Sequence, residues 1–374
     1  MVSVEYLLGM EIPSSTNSKI DEYQICATCV MDTSASEIEF DTEGICGYCI
    51  GVKTHIGKRW FPNDYGIELG NQQFSLIASK SSGQKYDSIL GLSGGIDSAV
   101  VAIRSIEAGL RPLAVHVDAG WNSLESVRNV KRLVDSLGID LKTIVINWPE
   151  MKSLQRAFLR SGTLNQDIPQ DHAFFTSLFR TAINEGISTI LSGVNFATES
   201  VEPTSWGYSY LDGKQIRRIN NRFGDIKLSK YRTLSYKKYE KLSRKGKFKV
   251  FEPLNYGPYD PAKELLNLKE KFDWVPYDGK HAESVFTDWF QSVYLIERYG
   301  IDKRRAHLSS KVISGLMDRE SALRVIDAPP SSFGKSNRLN DIIASRLGFT
   351  HEELTELIKL PHVENSTFKS AIHW

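Results

Sequence analysis

Short apolar runs alternate with amphipathic segments through the middle of this chain. Five runs have the length and composition of buried strands, at residues 87–92, 113–118, 141–146, 188–191 and 248–251. The segments between them carry apolar residues at helical spacing, at residues 99–108, 124–137, 151–159 and 173–184. Strands that are apolar throughout and alternate with helices are typical of a parallel sheet covered by helices on both faces. The sequence therefore predicts an α/β fold.

Different patterns flank this α/β segment. Residues 1–21 are polar and irregular, and the stretch between residues 53 and 85 is interpreted as a connection with a turn at 60–63. From Asp260-Pro261, a cap followed by proline, the pattern is nearly all helical. Helices are predicted there at residues 262–271, 283–299, 306–314, 319–326 and 351–360. We divide the chain into an N-terminal segment, 1–60, a central α/β domain, 61–258, and a helical C-terminal region, 259–374.

A glycine-rich turn follows the first predicted strand and begins a helix. Its sequence is Leu92-Ser93-Gly94-Gly95-Ile96-Asp97-Ser98. Because Gly94 and Gly95 can adopt backbone angles closed to other residues, successive N–H groups can form an anion-binding concavity. The serine hydroxyls and the helix N-terminus add donors and positive potential at the same place. The turn therefore predicts a phosphate site, and the alternative is a plain glycine turn before a capped helix.

The negative charge of Asp97 would repel a phosphate, so this residue must have another role. It is either a ligand for Mg²⁺ bound to that phosphate or a helix cap. The lysine of the G-x-x-x-x-G-K-[ST] loop and the spacing of G-x-G-x-x-G are both missing. The string instead resembles the PP-loop of the ATP pyrophosphatases, which cut ATP between its α- and β-phosphates. This resemblance implies an adenine nucleotide α-hydrolase-like PP-loop fold that binds ATP and Mg²⁺.

Four cysteines form the second motif. Cys26 and Cys29 make one C-x-x-C pair, Cys46 and Cys49 make another, and 16 residues separate the pairs. This spacing predicts a small zinc ribbon, since two such knuckles close a tetrahedral shell. Two disulfides are the alternative. Because four cysteines leave no open position on the metal, the zinc is expected to be structural.

Composition limits which classes of protein and which cellular locations need to be considered. Hydrophobic residues make up 41% of the chain and charged residues 24%, which is ordinary for a globular protein. The net charge of +1 provides no overall attraction to nucleic acid. No apolar run approaches the roughly 20 residues that cross a bilayer, and the first residues lack the basic region of a signal peptide. We expect a cytoplasmic protein without membrane insertion.

Strand ends add candidate contacts for ATP. In open parallel sheets, ligands bind beyond the carboxyl ends of the strands. Val117 and Asp118 end the second predicted strand, and Gly193 and Asn195 follow the fourth. These residues are predicted to contact adenine or ribose, with turn formation as the alternative. Farther on, residues 236–249 carry seven Lys or Arg with interleaved aromatics, which indicates a solvated helix more than an RNA-binding face.

Two polar strings in the C-terminal half supply candidate catalytic cations. Lys280 lies in the turn Gly279-Lys280-His281. Lys303, Arg304 and Arg305 cluster at a predicted helix start, where the helix dipole disfavours cations. This cost indicates an anionic partner, such as substrate phosphates or departing pyrophosphate. A simple surface patch is the alternative, and the residues alone do not choose among the four cations.

The motifs together resemble the N-acetyl sugar amidotransferases of bacterial surface-polysaccharide pathways, the WbpG and PseA type. The resemblance runs from Cys26 to about Leu323, and the Gly279-Lys280-His281 turn and the string at 302–310 are its most specific parts. It implies conversion of an acetamido group on a nucleotide-activated sugar into an acetamidino group, for lipopolysaccharide O-antigen or flagellin glycan. ATP adenylylates the amide oxygen, and ammonia then displaces AMP.

The chain offers no glutaminase nucleophile of its own. Glutaminases use a cysteine, and all four cysteines belong to the predicted ribbon. We therefore expect a separate glutaminase or free ammonia. The resemblance implies a partner similar to the glutaminase subunit of imidazole glycerol phosphate synthase, and a cyclase-like barrel subunit as well.

Two rival functions stay open. A tRNA thiolation enzyme would also pair a PP-loop with a zinc ribbon and would use the basic stretch, but such enzymes usually need a further cysteine. A zinc-ribbon adaptor that only senses nucleotide would need a defective loop, and this loop is intact. The sequence does not give the sugar, its nucleotide carrier or the oligomeric state.

Overall fold

The computed structural model of the chain describes residues 23–207, 210–277, 283–329 and 336–361, together with residues 363 and 368. In these residues five parallel strands form one sheet, in the order β3-β2-β1-β4-β5. The strands are β1 (Ser88–Gly91), β2 (Pro112–Asp118), β3 (Leu141–Val145), β4 (Thr189–Leu191) and β5 (Lys249–Phe251). The predicted α/β fold with a parallel sheet is confirmed.

Helices connect and flank the strands. In chain order they are α1 (Gly47–Lys53), α2 (Asp64–Lys80), α3 (Ile96–Glu107), α4 (Leu124–Leu137), α5 (Trp148–Ser161), α6 (Ile168–Glu185), α7 (Phe196–Glu199), α8 (Gly213–Phe223), α9 (Tyr236–Arg244), α10 (Pro261–Phe272), α11 (Val285–Trp289), α12 (Leu295–Tyr299), α13 (Arg304–Ile313), α14 (Arg319–Asp327), α15 (Ser336–Leu347) and α16 (His351–Lys359). Single 3-10 turns occupy Thr204–Trp206 and Pro253–Asn255.

The strand order reverses at β1. The chain builds β1, β2 and β3 toward one edge and then places β4 and β5 on the other side of β1. Because crossovers between parallel strands are right-handed, helices before and after the reversal cover opposite faces of the sheet. The carboxyl ends of β1 and β4 therefore border a crevice, which is where such sheets bind ligands.

Each face of the sheet has its own core. Leu90 and Ala114 pack with α3, α4 and α10 on the first face. Ile89 and Leu113 point the opposite way and pack with α6 and α9 on the second. Helices α5 and α8 form a further layer beside α6. The alternation of neighbouring strand residues between two cores explains why the strands are apolar along their whole length.

Several helices of the structure were missing from the sequence prediction, namely α1, α2, α7, α8 and α15. Residues 64–80, interpreted as a connection, form α2, and residues 336–347 form α15, so the prediction was wrong at both places. The buried positions of α2 include Gly66 and Gly70. A Cβ at Gly66 would lie 1.9 Å from the carbonyl oxygen of Phe61. Glycine is needed for this close approach, and it removes the apolar side chains that would have revealed the helical period.

The C-terminal helices pack around an aromatic cluster beside the crevice. Phe286, Trp289 and Tyr294 are fully buried there, together with Trp121 from the loop after β2. The single helix predicted at 283–299 is α11 and α12 joined by a π-helical turn at Phe290–Tyr294. The predicted domain boundaries stay predictions, and α10 packs against α3 and α4, the helices that cover the sheet's first face.

A buried carboxylate on α5 holds the loop that follows α8. The Glu150 side chain accepts backbone hydrogen bonds from Ser229, Lys230 and Tyr231 at 2.6–3.0 Å. Burial raises the pKa of Glu150, but these hydrogen bonds and that of the Ser229 hydroxyl outweigh it and lower the pKa to about 2. The ionised form is thus stabilised by the fold.

We predict that Glu150→Gln lowers the free energy of unfolding by about 3 kcal/mol at neutral pH. The folded-state pKa lies below the ordinary value of 4.5, so this stability is present above pH 4.5 and is lost as the pH falls toward 2. Denaturant unfolding at several pH values should show the gap between variant and wild type closing on acidification. Glu185→Gln, at an exposed ion pair with Lys142, should cost less than about 1 kcal/mol; an equal loss in both variants would contradict the assignment.

Candidate active site

The glycine-rich turn lies at the carboxyl end of β1 and begins α3. Gly94 has φ of 93°, and a Cβ there would lie 2.8 Å from the Cβ of Ser126. The hydroxyl of Ser93 accepts a hydrogen bond from the N–H of Gly95, and that of Ser98 donates to the Gly95 carbonyl. The first amides of α3 point into the crevice end of the turn, where an anion can accept their hydrogen bonds. The backbone therefore has the shape of a phosphate cradle.

A carboxylate cluster lies beside this cradle. Asp97, in the first turn of α3, accepts a hydrogen bond from the Tyr259 hydroxyl. Burial raises the pKa of Tyr259 well above its usual value, and the charges of Asp97 and Glu199 raise it further. Two carboxylates from α3 and α7 thus face one buried phenol. Carboxylate oxygens are the donors that Mg²⁺ prefers, so Asp97 can serve as a ligand for a magnesium ion carried by a nucleotide, and the charge of Glu199 adds negative potential nearby.

The strand-end residues surround the same crevice in different ways. A Cβ at Gly193 would lie 3.1 Å from the Asp97 backbone, so this glycine lets β4 approach α3 closely. The Asp118 carboxylate accepts the N–H of Gly120 within its own turn. Asn195 is fully buried and caps α7 by accepting the N–H of Thr198. Val117 is nearly buried in the sheet's second core. Their predicted contacts with ATP stay predictions.

An acidic pair lies at the start of α6, at the same edge of the sheet. Asp167 is the N-cap residue and Asp171 lies in the first turn. Asp167 is 6% exposed and accepts hydrogen bonds from Gln170 and Thr287. Burial and the neighbouring charge of Asp171 raise the pKa of Asp167 to about 8, against the hydrogen bonds of Thr287 and Gln170 and the charge of Lys303. Burial also raises the pKa of Asp171, to about 6, against the charge of Lys303. The charge of Lys303 thus opposes the rise in the pKa of both carboxyls.

The four cysteines converge in one buried cluster. Their Sγ atoms lie within 4.8 Å of one another, with Cys26–Cys49, Cys29–Cys46 and Cys46–Cys49 at 3.7–3.8 Å. A tetrahedral ion with metal–sulfur bonds of about 2.3 Å requires sulfurs about 3.8 Å apart. The N–H of Cys46 also donates to the Cys26 sulfur, as suits a thiolate. The thiols fit one tetrahedral ion and are packed too closely for a multi-iron cluster between them.

The ribbon docks on the C-terminal helices. Arg305 forms an ion pair with Asp32, in which both side chains are largely buried. The Arg319 guanidinium donates to the carbonyls of Cys26 and Cys29, directly behind the metal ligands. The Ser309 hydroxyl accepts the N–H of Val30. Helices α13 and α14 therefore hold the first knuckle through backbone and charge contacts.

The ribbon also contacts the loop that follows α7. Glu37 accepts hydrogen bonds from Tyr48 within the ribbon and from Thr204 and Ser205 in the loop. The Trp206 indole donates to the carbonyl of Ser34. The loop begins just after Glu199, so the ribbon fixes the chain on one side of the candidate magnesium site.

The C-terminal cations differ in their surroundings. Arg304 binds the Asp302 carboxylate and the carbonyls that end α14. Arg305 likewise forms an ion pair with Asp32. For both arginines the expected anionic partner is therefore a carboxylate of the chain itself and not a substrate phosphate. The charge of Lys303 acts instead on the acidic pair of α6. Lys280 lies outside the described residues.

Sequence reasoning missed several members of this site. Glu199, Tyr259, Asp167 and Asp171 were not among the candidates. The one signal available was position, since Glu199 lies one helical turn after the Asn195 cap that follows β4. The acidic pair and Tyr259 come from the starts of α6 and α10, which only the folded chain brings to the crevice.

Two family models match the chain. Residues 283–374 match the C-terminal domain of the LPS biosynthesis protein WbpG-like family, and residues 76–211, which contain the PP-loop, match the NAD synthase family. The chain thus combines an NAD synthase-like domain of the PP-loop superfamily with a WbpG-like C-terminal domain. The WbpG-like match begins at Glu283, beside the cradle. The carbonyl of Glu283 accepts the N–H of Ser123, which caps α4.

Solved structures of distant likeness cover most of the chain. They include an NH3-dependent NAD synthetase from Campylobacter jejuni (16% identity, 80% of this chain and 99% of that one, TM-score 0.31) and an NMN synthetase from Francisella tularensis (16%, 80% and 98%, 0.31). A third is the U34-tRNA thiolase NcsA from Methanococcus maripaludis with its [4Fe-4S] cluster (16%, 71% and 83%, 0.32). Among curated proteins, none shows significant similarity to the chain.

We predict that the purified protein carries about one zinc per chain and no iron–sulfur cluster. Elemental analysis and the visible absorption spectrum measure both. Cys49→Ser should lose the metal, because three thiolates leave the shell open, whereas Thr28→Ala in the same knuckle should retain it. A visible iron–sulfur absorption, or two disulfides in the untreated protein, would show that the assignment is wrong.

Proposed function

We propose that this chain is the synthetase subunit of an ATP-dependent amidotransferase that converts an acetamido group of a nucleotide-activated sugar into an acetamidino group. The observation that supports it most is the WbpG-like domain, whose first residues lie against the phosphate cradle. The intact PP-loop supports the use of ATP. The product would serve lipopolysaccharide or another surface glycan, and the reaction would take place in the cytoplasm, where ATP and nucleotide sugars are made.

The reaction needs a leaving group on the amide oxygen. The amide oxygen attacks the α-phosphorus of ATP and pyrophosphate departs, which leaves an O-adenylyl imidate. Ammonia then adds to its carbon, a proton is lost, and AMP departs with the original oxygen. Ser93, Gly94, Gly95 and Ser98 would hold the β- and γ-phosphates, and a magnesium ion held by Asp97 would neutralise their charge.

Lys303 is the C-terminal cation that we place at the reaction. Arg304 and Arg305 already have carboxylate partners in the chain, and their part in the proposal is to hold α13 and the ribbon. The charge of Lys303 acts on the acidic pair of α6, so in this proposal Lys303 orients an anionic group of the substrate there. Lys280 stays a candidate for the same role. Zinc in the ribbon is structural in this proposal, because all four positions are filled.

We predict that Asp97→Asn abolishes AMP formation while leaving the fold intact, because the amide loses the charge that holds Mg²⁺. AMP release with ATP, Mg²⁺ and the acetamido sugar nucleotide is the measurement, with circular dichroism as the check on folding. Asp64→Asn is the matched control, since Asp64 also lies in the first turn of a helix but is exposed on α2. Normal AMP release by Asp97→Asn would overturn the phosphate-site assignment.

Nitrogen has to come from outside this chain. The sequence holds four cysteines, and all four are in the metal-binding cluster. We therefore propose a separate glutaminase subunit similar to that of imidazole glycerol phosphate synthase, with a cyclase-like barrel as a possible third subunit. Ammonia from such a partner must reach the adenylylated amide before water does, which favours a closed crevice.

We predict that the protein alone uses ammonium salts but not glutamine, and that adding the glutaminase restores glutamine use. AMP and pyrophosphate should form in both cases, and mass spectrometry should show the amide oxygen replaced by nitrogen. Glutamine-dependent turnover by this chain alone would contradict the proposal. A product that carries sulfur, or modification of tRNA in place of the sugar, would favour the rival thiolation function.

A further inference from the structure

Positive charge is concentrated in one segment of a nearly neutral chain. Residues 213–249 hold 14 Lys or Arg and two acidic residues, whereas the whole chain holds 46 and 45. Outside this segment acidic residues therefore exceed basic ones, by 43 to 32. Such separation of charge creates a strong local field in a protein whose total charge is close to zero.

All 14 cations are exposed at the surface. We call them the basic face: Lys214, Arg217, Arg218, Arg222, Lys227, Lys230, Arg232, Lys237, Lys238, Lys241, Arg244, Lys245, Lys247 and Lys249. The two acidic residues compensate little of this charge. Asp225 binds Arg156 and Arg160 of α5, outside the segment, and Glu240 forms an ion pair with Arg244.

The fold directs these cations toward solvent. Helix α8 packs Ile216 and Ile219 inward beside α5 and α6. Helix α9 packs Tyr239 against Phe179 and Phe248 over the sheet's second face. Because the apolar sides of both helices are used inside the protein, their polar sides, which carry the cations, face solvent.

We propose that the basic face binds an anionic membrane surface by electrostatic attraction, without insertion into the lipid. Insertion would need an exposed apolar face, and Ile226 is the one large apolar residue of this segment that is strongly exposed. Within the described residues no helix is long and apolar enough to span a bilayer. What remains is a broad array of cations, which is the feature that attracts anionic headgroups.

The aromatic residues of the segment favour lipid over single-stranded RNA. Tyr231, Tyr239 and Phe248 are 3%, 8% and 1% exposed. RNA-binding surfaces of that kind stack bases on exposed aromatic rings. Three of the segment's five rings face the core, and the other two, Phe223 and Tyr236, are half-buried. Nine of the 14 cations are lysines, which act as point charges and lack the planar fork with which arginine recognises single phosphates. The pattern fits a diffuse anionic surface.

Binding of this kind depends on several lysines at once. Each contributes while it lies within about a Debye length of the headgroups, about 10 Å at 0.1 M salt. The full-length protein should therefore sediment with vesicles of equal parts phosphatidylcholine and phosphatidylglycerol, and not with pure phosphatidylcholine. Raising the salt from about 0.05 M to about 0.5 M should release it.

The deciding variant reverses four charges of α9 and the residue after it, Lys237→Glu, Lys238→Glu, Lys241→Glu and Lys245→Glu. We expect its partition onto the anionic vesicles to fall by about tenfold or more. A matched control reverses four exposed lysines on the helices of the opposite sheet face, Lys131→Glu, Lys263→Glu, Lys269→Glu and Lys271→Glu. It carries the same net charge and should keep most of the binding. Thermal unfolding checks that both variants are folded.

Three outcomes would overturn the proposal. The first is no sedimentation of the wild type with the anionic vesicles at low salt. The second is an equal loss in both quadruple variants, which would mean a response to net charge alone. The third is displacement from the vesicles by total RNA with tighter binding of RNA to the wild type than to the α9 variant, which would make the basic face an RNA site.

Discussion

Two adjacent buried serines on α13 connect the parts of this protein. Ser309 accepts a backbone N–H from the first cysteine knuckle, and Ser310 accepts the N–H of Val201, two residues after Glu199. Both hydroxyls are fully buried, so neither bond has water as an alternative partner. Neighbouring residues of one helix thus connect the four-cysteine ribbon to the candidate magnesium site. Lys303 lies at the start of the same helix, and its charge acts on the acidic pair of α6.

The sequence predicted the features that depend on short, continuous stretches of the chain. Apolar runs defined the strands, the serine–glycine string defined the cradle, and two C-x-x-C pairs defined the metal cluster. What the sequence did not show depends on partners far apart in the chain. Arg305 lies 273 positions from Asp32, and its side chain was expected to meet a ligand. Tyr259 and the acidic pair of α6 reach the crevice only through the sheet's strand order. Helix α2 escaped prediction because glycines occupy its buried stripe.

Charge is distributed unevenly around the sheet. The crevice at its carboxyl edge contains the carboxylates of Asp97 and Glu199, whereas the outer surface of α8 and α9 is basic. A polyphosphate cannot enter an acidic crevice by attraction alone, so it must arrive with its cation and be received by backbone amides. The basic surface would attract the same anions more strongly but has no cradle to bind them. The molecule therefore has a dipolar field, which orients it relative to any charged surface.

The π-helical turn at Phe290–Tyr294 has a consequence for comparing this chain with its relatives. A π turn is an α-helix with one residue added, so every side chain after it is rotated by about 100° relative to an uninterrupted helix. Here that rotation brings the Tyr294 hydroxyl to Gln166 and the Arg298 guanidinium to the carbonyls of Leu357 and Pro361. A relative without the extra residue would have to present other side chains at these places. Alignment by helical phase alone would be out of register from Leu295 onward.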